Sequence, residues 1–199
     1  MIKSDGLKNY LSGGKIRILG LLVILFAVSN VHSQSWVGGV DSMWTTAGNW
    51  DNNAVPGFND NVVIDVDDKV VIESASGLAR TVTIGTNDTL VIKSGDHLTV
   101  DRDVVISGVL TLEGTATLNY GLDWFRDGIF NCNQSTVTHT GNRVQNIVYS
   151  ETFYNLAFNK TNQVVTNSSD ITVLNDLTIT AGTFEVIDHN GVDLTVNGD

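Results

Sequence analysis

Residues 98–112 read Leu98-Thr99-Val100-Asp101-Arg102-Asp103-Val104-Val105-Ile106-Ser107-Gly108-Val109-Leu110-Thr111-Leu112, three apolar-x-apolar triplets with only three residues between each and the next. A period of two places the first and third side chains of a triplet on one face and the middle residue on the other, the signature of a strand with one buried face. A parallel crossover through a helix needs a dozen or more residues, so these intervals admit only corners or tight turns. The triplet recurs upstream as Val62-Val63-Ile64, Val70-Val71-Ile72, Val82-Thr83-Ile84 and Leu90-Val91-Ile92. Downstream it returns as Ile171-Thr172-Val173, Leu177-Thr178-Ile179, Phe184-Glu185-Val186 and Leu194-Thr195-Val196. Thr99–Ile106 aligns with Thr172–Ile179 at an offset of 73 residues, which suggests two sections related by duplication.

Short strands at this spacing permit an antiparallel sandwich or barrel as well as a parallel solenoid. Asn190-Gly191, Asn197-Gly198, Ser94-Gly95 and Ser107-Gly108 are turn dipeptides compatible with either. The triplets are shorter and more alike than sandwich strands, which favours an all-β, right-handed parallel β-helix or solenoid whose inward Val, Ile and Leu form continuous ladders. With roughly 20 residues per coil and about 4.8 Å between coils, residues 65–199 would make six or seven coils and a rod ~30 Å long.

The chain has 199 residues and a formal net charge of −11, with one Pro and one Cys. That charge has the wrong sign for neutralising phosphates, so nucleic acid is not an expected partner. Lys3, Lys8, Lys15 and Arg17 precede an apolar run from Ile18 to Val28 that is too short to span a bilayer, and Val31 and Ser33 suit the small-residue positions of a cleavage site. Residues 1–33 are therefore expected to be a signal peptide, leaving a secreted product that starts at Gln34, carries 7 basic and 21 acidic residues, and has no membrane-inserted segment. Cys132 cannot form an internal disulfide, and its apolar neighbours Ile129 and Phe130 suit a buried or half-buried strand residue better than a nucleophile.

Between the leader and the triplets, residues 34–64 hold Trp36, Trp44 and Trp50, three of the four tryptophans. A solenoid leaves the apolar interior of its first coil uncovered, and a bulky aromatic segment with Pro56 in its turn would close that end, so a Trp-rich N-terminal cap is expected. The same Trp36, Trp44 and Trp50 are the candidate ligand-binding residues, since an indole face suits a sugar ring.

The head, through Trp36, Gly38, Trp44, Asn49-Trp50, Pro56-Gly57, Asp60 and Val63-Ile64, resembles that of the long secreted β-solenoid repeat proteins of Bacteroidota. The middle resembles one of their repeats through Asp123-Trp124, Gly128, Phe130, Val137, Gly141, Gln145, Ile147 and Phe153-Tyr154-Asn155-Leu156. Phe125-Arg126 after Trp124 departs from the smaller polar residue usual there, which opens the register of that coil to question. The resemblance implies an exported, adhesin-like protein of the cell surface, often sent out by type IX secretion through a C-terminal sorting domain. No such domain follows Val192–Asp199, so the sequence is expected to be part of a longer chain.

Chemistry-bearing patterns are sparse. His97, His139 and His189 lack metal-ligand spacing and are expected on the surface, and no nucleophile elbow, phosphate loop or calcium-repeat motif occurs. Asp65, Asp67 and Asp68 cluster, as do Asp123 and Asp127, while Asp101 and Asp103 would share a strand face with Arg102 opposite. Such carboxylates could serve a calcium-dependent lyase, but Asp is also the ordinary residue of turns between strands. Asn-x-Thr/Ser sequons and Thr-x-Thr pairs are what an Asn- and Thr-rich strand protein yields. The expectation is a non-enzymatic structural or adhesive module of the cell surface, with no catalytic residues, cofactor or metal. Its expected partners are cell-surface glycans or other domains of the same longer chain. The alternatives are a carbohydrate-binding module using the three Trp residues, and a β-helix polysaccharide lyase or hydrolase using Asp101 and Asp103.

Overall fold

The computed structural model describes residues 31–147, 149–167, 169–186 and 191–198. Most of the expected leader, residues 1–30, lies outside the described residues, as does His189. The chain winds into a three-faced parallel β-solenoid. On the first face β1 (His32–Ser35), β2 (Asp60–Ile64), β5 (Thr81–Ile84), β8 (Val104–Ile106), β11 (Trp124–Arg126) and β14 (Gln145–Ile147) stack in order. The second face carries β3 (Lys69–Ile72), β6 (Thr89–Ile92), β9 (Val109–Leu112) and β12 (Ile129–Asn131), then separately β15 (Glu151–Phe153), β17 (Ile171–Val173) and β19 (Leu194–Val196). On the third, β4 (Ser76–Ala79), β7 (His97–Val100), β10 (Thr117–Tyr120) and β13 (Thr136–His139) lead to β16 (Asn155–Asn167) and β18 (Leu177–Val186). The last two strands are long because they run across the corner from the third face of one coil to the first face of the next. Every strand pairing is parallel, no α-helix occurs among the described residues, and none is long and apolar enough to cross a membrane.

The triplet pattern becomes ladders. Val62, Val82, Val104 and Trp124 lie in register on the first face, as do Ile64, Ile84 and Ile106, all buried. Leu98, Leu118, Val137 and Leu156 make a matching ladder on the third face. Thr83 and Thr99, the middle residues of their triplets, point outward and are half-buried. The corner between the first and second faces brings backbones so close that a Cβ on Gly108 would run into the carbonyl oxygens of Gly85 and Asp88. Glycine is required there for space rather than for an unusual φ.

Two expectations need adjustment. Asp60–Ile64 pairs with β1 and β5, so it is the first full rung of the ladder and not the end of the cap. β1 also takes in His32 and Ser33, the two residues before Gln34. The 73-residue offset does not mark a duplication of equivalent coils: Val104 lies on the first face and Leu177 on the third. The register advances 20 residues from Val62 to Val82 and 22 from Val82 to Val104, and 73 is no multiple of such a step. Because every face carries the same apolar-x-apolar pattern, sequence self-similarity cannot tell one face from another.

Trp36, Trp44 and Trp50 close the N-terminal end. The backbone of Trp36 bonds to Val63 and that of Trp44 to Val71, so the head is an incomplete coil laid on the first complete one. Trp50 packs edge-to-face against both other indoles, each at 5.0 Å between ring centres. Buried Asn49 holds the connecting loop: its amide donates to Asp41 Oδ1 and Met43 O and accepts from the N–H groups of Val40 and Asp41.

Candidate functional site

The three tryptophans proposed as ligand-binding residues are 1%, 0% and 1% exposed. Stacking on a sugar needs an open ring face, and none of these indoles offers one. Trp36 Nε1 donates to Asp68 Oδ2 at 2.9 Å and Trp50 Nε1 to Trp44 O at 2.8 Å, while the buried Trp44 Nε1 has no partner among the described residues. Asp101 and Asp103 do not form a catalytic pair on a strand either. They occupy the corner between β7 and β8, where Asp101 is exposed, 4.0 Å from Arg102 Nε, and Asp103 accepts the N–H of Asp123 in the next coil. Period-two reasoning fails at a corner, where the backbone is no longer extended. Cys132 is half-buried just after β12, and burial pushes its thiol pKa up, away from nucleophilic use.

The interior carries chemistry that the sequence reading assigned elsewhere. Ile64, Ile84 and Ile106 are followed in the same ladder by Arg126. At this rung the second face is interrupted, since β12 pairs only with β9 and β15 only with β17. One residue more separates β14 from β15 than separates β11 from β12, and Glu151 at the start of β15 is buried. Arg126 spans the interruption. Its Nε donates to Glu151 Oε2 at 2.6 Å, Nη1 to Gly128 O at 3.0 Å and Nη2 to Ser150 O at 2.7 Å. The guanidinium thus ties the carbonyl that precedes β12 to the one that precedes β15, in place of missing ladder bonds. Trp124 Nε1 donates to the same Glu151 oxygen at 3.1 Å. Burial raises the Glu151 carboxyl pKa, and the neighbouring Arg126 opposes that rise.

A groove of about 340 Å3 opens beside this pair, bordered by Ile129, Ser150, Thr152, Asp170 and Thr172. Ile129 is 55% exposed at its edge. Its hydroxyls and carboxylate are suited to hydrogen-bonding a polyhydroxylated or extended ligand, while Arg126 and Glu151 are hydrogen-bonded to each other.

A second buried polar group lies on the third face. His139, expected on the surface, is 1% exposed and sits in the ladder between Tyr120 and Phe158. Gln145 donates through Nε2 to Thr140 O, which leaves its Oε1 to accept from His139 Nδ1, and the Tyr120 hydroxyl then donates to His139 Nε2 at 2.6 Å. The imidazole is neutral in this arrangement, and burial lowers its pKa to about 3. Lys160, fully buried, donates to Thr140 O, and burial lowers its pKa to about 8 against the opposing pull of Asp123. Arg126, Glu151 and Lys160 escaped sequence reasoning, though Arg126 gave a signal: Trp124-Phe125-Arg126 puts a cation in a slot that the triplet rule reserves for an aliphatic residue.

No curated protein and no solved structure matches the chain. The model of a family described as a domain of unknown function, DUF8693, matches residues 35–171. Because that stretch is more than half the chain and takes in both the tryptophan cap and the Arg126–Glu151 junction, the protein belongs to the DUF8693 family.

Proposed function

We propose that the chain is an exported structural or adhesive β-solenoid module without catalytic activity, acting as a surface spacer or adhesin segment. The observation that carries this reading is the single apolar core cluster, which runs from the buried indoles of Trp36, Trp44 and Trp50 through the stacked coils to Ile171 and Val173. Coils joined by repeated backbone ladders form a stiff rod, and stiffness along one axis is what a spacer requires. The buried ionisable side chains support it too, because Arg126 with Glu151 and Tyr120 with His139 spend their hydrogen bonds on neighbouring coils. In this reading residues 1–33 direct export and are removed, the setting is the surface of a Bacteroidota cell, and type IX secretion is the route.

The test is to express the full chain with a C-terminal tag in a Bacteroidota host and to follow it by fractionation, N-terminal sequencing and antibody binding to intact cells. Tagged protein outside the cytoplasm, beginning at Gln34, is the expected result, and on the surface or in the medium once a C-terminal sorting domain is appended. Cytoplasmic protein that keeps Met1–Ser33 would overturn the export reading.

A second reading, carbohydrate binding, is favoured by the groove at the break in the second face rather than by the tryptophans. Thr152 and Thr172 stand in register there, with Asp170 beside them. Binding of a glycan that Thr172→Val weakens, with thermal stability unchanged, would favour it over a purely structural role.

A further inference from the structure

We propose a divalent-cation site, of a kind that suits calcium, at the turn where the first two complete coils meet, formed by Asp65 and Asp88. Asp88 is 1% exposed. Its Oδ1 accepts the backbone N–H groups of Val66, at 3.2 Å, and Asp68, at 2.8 Å, and so holds the turn of the coil below. Its Oδ2 is buried and has no hydrogen-bond partner among the described residues. That same oxygen points toward Gly85, where the absent Cβ would stand 2.9 Å from Asp88 Oδ2 and 2.5 Å from Asp65 Oδ1. Two carboxylate oxygens from successive coils therefore converge over a residue with no side chain, and no Lys or Arg among the described residues pairs with either.

Comparison with Asp96 shows that this is not simply how such a turn is made. Asp96 holds the corner at Ser74 and Ala75 with one oxygen on each N–H, both at 3.0 Å, and leaves neither oxygen idle. Asp88 uses a single oxygen for the same task and leaves the other without a donor, beside the point over Gly85 that Asp65 Oδ1 also approaches. A buried anionic oxygen without a donor is costly, and a second carboxylate facing it adds repulsion, while a hard cation between them removes both penalties. Calcium tolerates an irregular oxygen set completed by water, which suits a site with only two converging carboxylates. Among the described residues no group of three or more metal-binding side chains assembles, so the affinity belongs in the weak range of extracellular calcium modules. The ion would tie the first complete coil to the second directly beneath the cap, where Trp36 also bonds to Asp68.

The experiment uses the full chain stripped of metal with a chelator. Terbium(III), excited through tryptophan, reports occupancy, and thermal unfolding with and without calcium at about 5 mM, above the dissociation constants of weak extracellular sites, reports linkage. Sensitised terbium emission that calcium displaces is expected, together with a midpoint several degrees higher in calcium. Asp88→Asn and Asp65→Asn should each abolish the calcium-dependent increment, and Asp96→Asn should keep it. Asp65 is exposed, so Asp65→Asn keeps the test decisive even if Asp88→Asn fails to fold. A wild-type midpoint indifferent to calcium would overturn the site. So would an increment that survives in Asp65→Asn, which would place the ion elsewhere on the acidic surface, or a midpoint that rises only on acidification, which would mean that a shared proton joins the pair.

Discussion

Arg126 Nε lies 2.6 Å from Glu151 Oε2, joining a strand on the first face of one coil to a strand on the second face of the next. The Glu151 side chain is only 5% exposed, so removing its partner strands a charge in the core. Arg126→Ala should destabilise the fold by about 3–5 kcal/mol. The double replacement Arg126→Ile with Glu151→Leu restores an apolar ladder and should recover most of that loss. Urea unfolding of the two variants beside the parent chain measures both, and a double variant no better than the single one would refute the account.

His139 makes stability depend on acid. Its pKa is close to 6.5 in an unfolded chain and about 3 when buried, so the folded state binds fewer protons and loses stability as pH falls from 6.5 toward 3. At pH 4.5 the loss from this one group is on the order of 3 kcal/mol. His139→Gln removes the titration, and its unfolding free energy should fall less between pH 7 and 4.5 than that of the parent. Parallel pH profiles would show that the imidazole is not the cause.

The cap should behave as core. Trp44→Ala or Trp50→Ala deletes a fully buried indole and should cost roughly 3–5 kcal/mol, with faster hydrogen exchange at β2 and β3. Unchanged stability in both variants would mean that the head is not what closes the rod.

The opposite end is loosely covered. Leu177, Phe184 and Leu194 are only partly buried, and Ile179, Val186 and Val196 are 49%, 38% and 41% exposed. Hydrogen exchange should be fast over residues 184–186 and 191–198 and slow over 82–112, where strands have partners on both sides. Uniform protection along the chain would contradict this gradient.

The ladders were legible because the side-chain period is visible in any one triplet, and Val62, Ile64, Leu98 and Val100 point inward as their spacing requires. The cap was legible because indoles rarely gather without being buried. The interior polar groups were not. His139 looks like any exposed histidine until its position is counted one coil beyond Tyr120, and the unpartnered oxygen of Asp88 depends on backbone geometry that no local pattern encodes. Asp101 and Asp103 misled because the extended spacing rule was carried into a corner.

The gap between β12 and β15 also has a mechanical meaning. At the other junctions between complete coils three strand pairings resist separation, whereas here only β11 with β14 and β13 with β16 pair, supplemented by side-chain bonds from Arg126, Trp124, Asn155 and Lys160. Under tension along its length the rod would part first at this seam, leaving a four-coil block that retains the cap and releasing the remainder. A molecule that holds something at a distance from a surface would then have a built-in fracture plane, reinforced by Arg126.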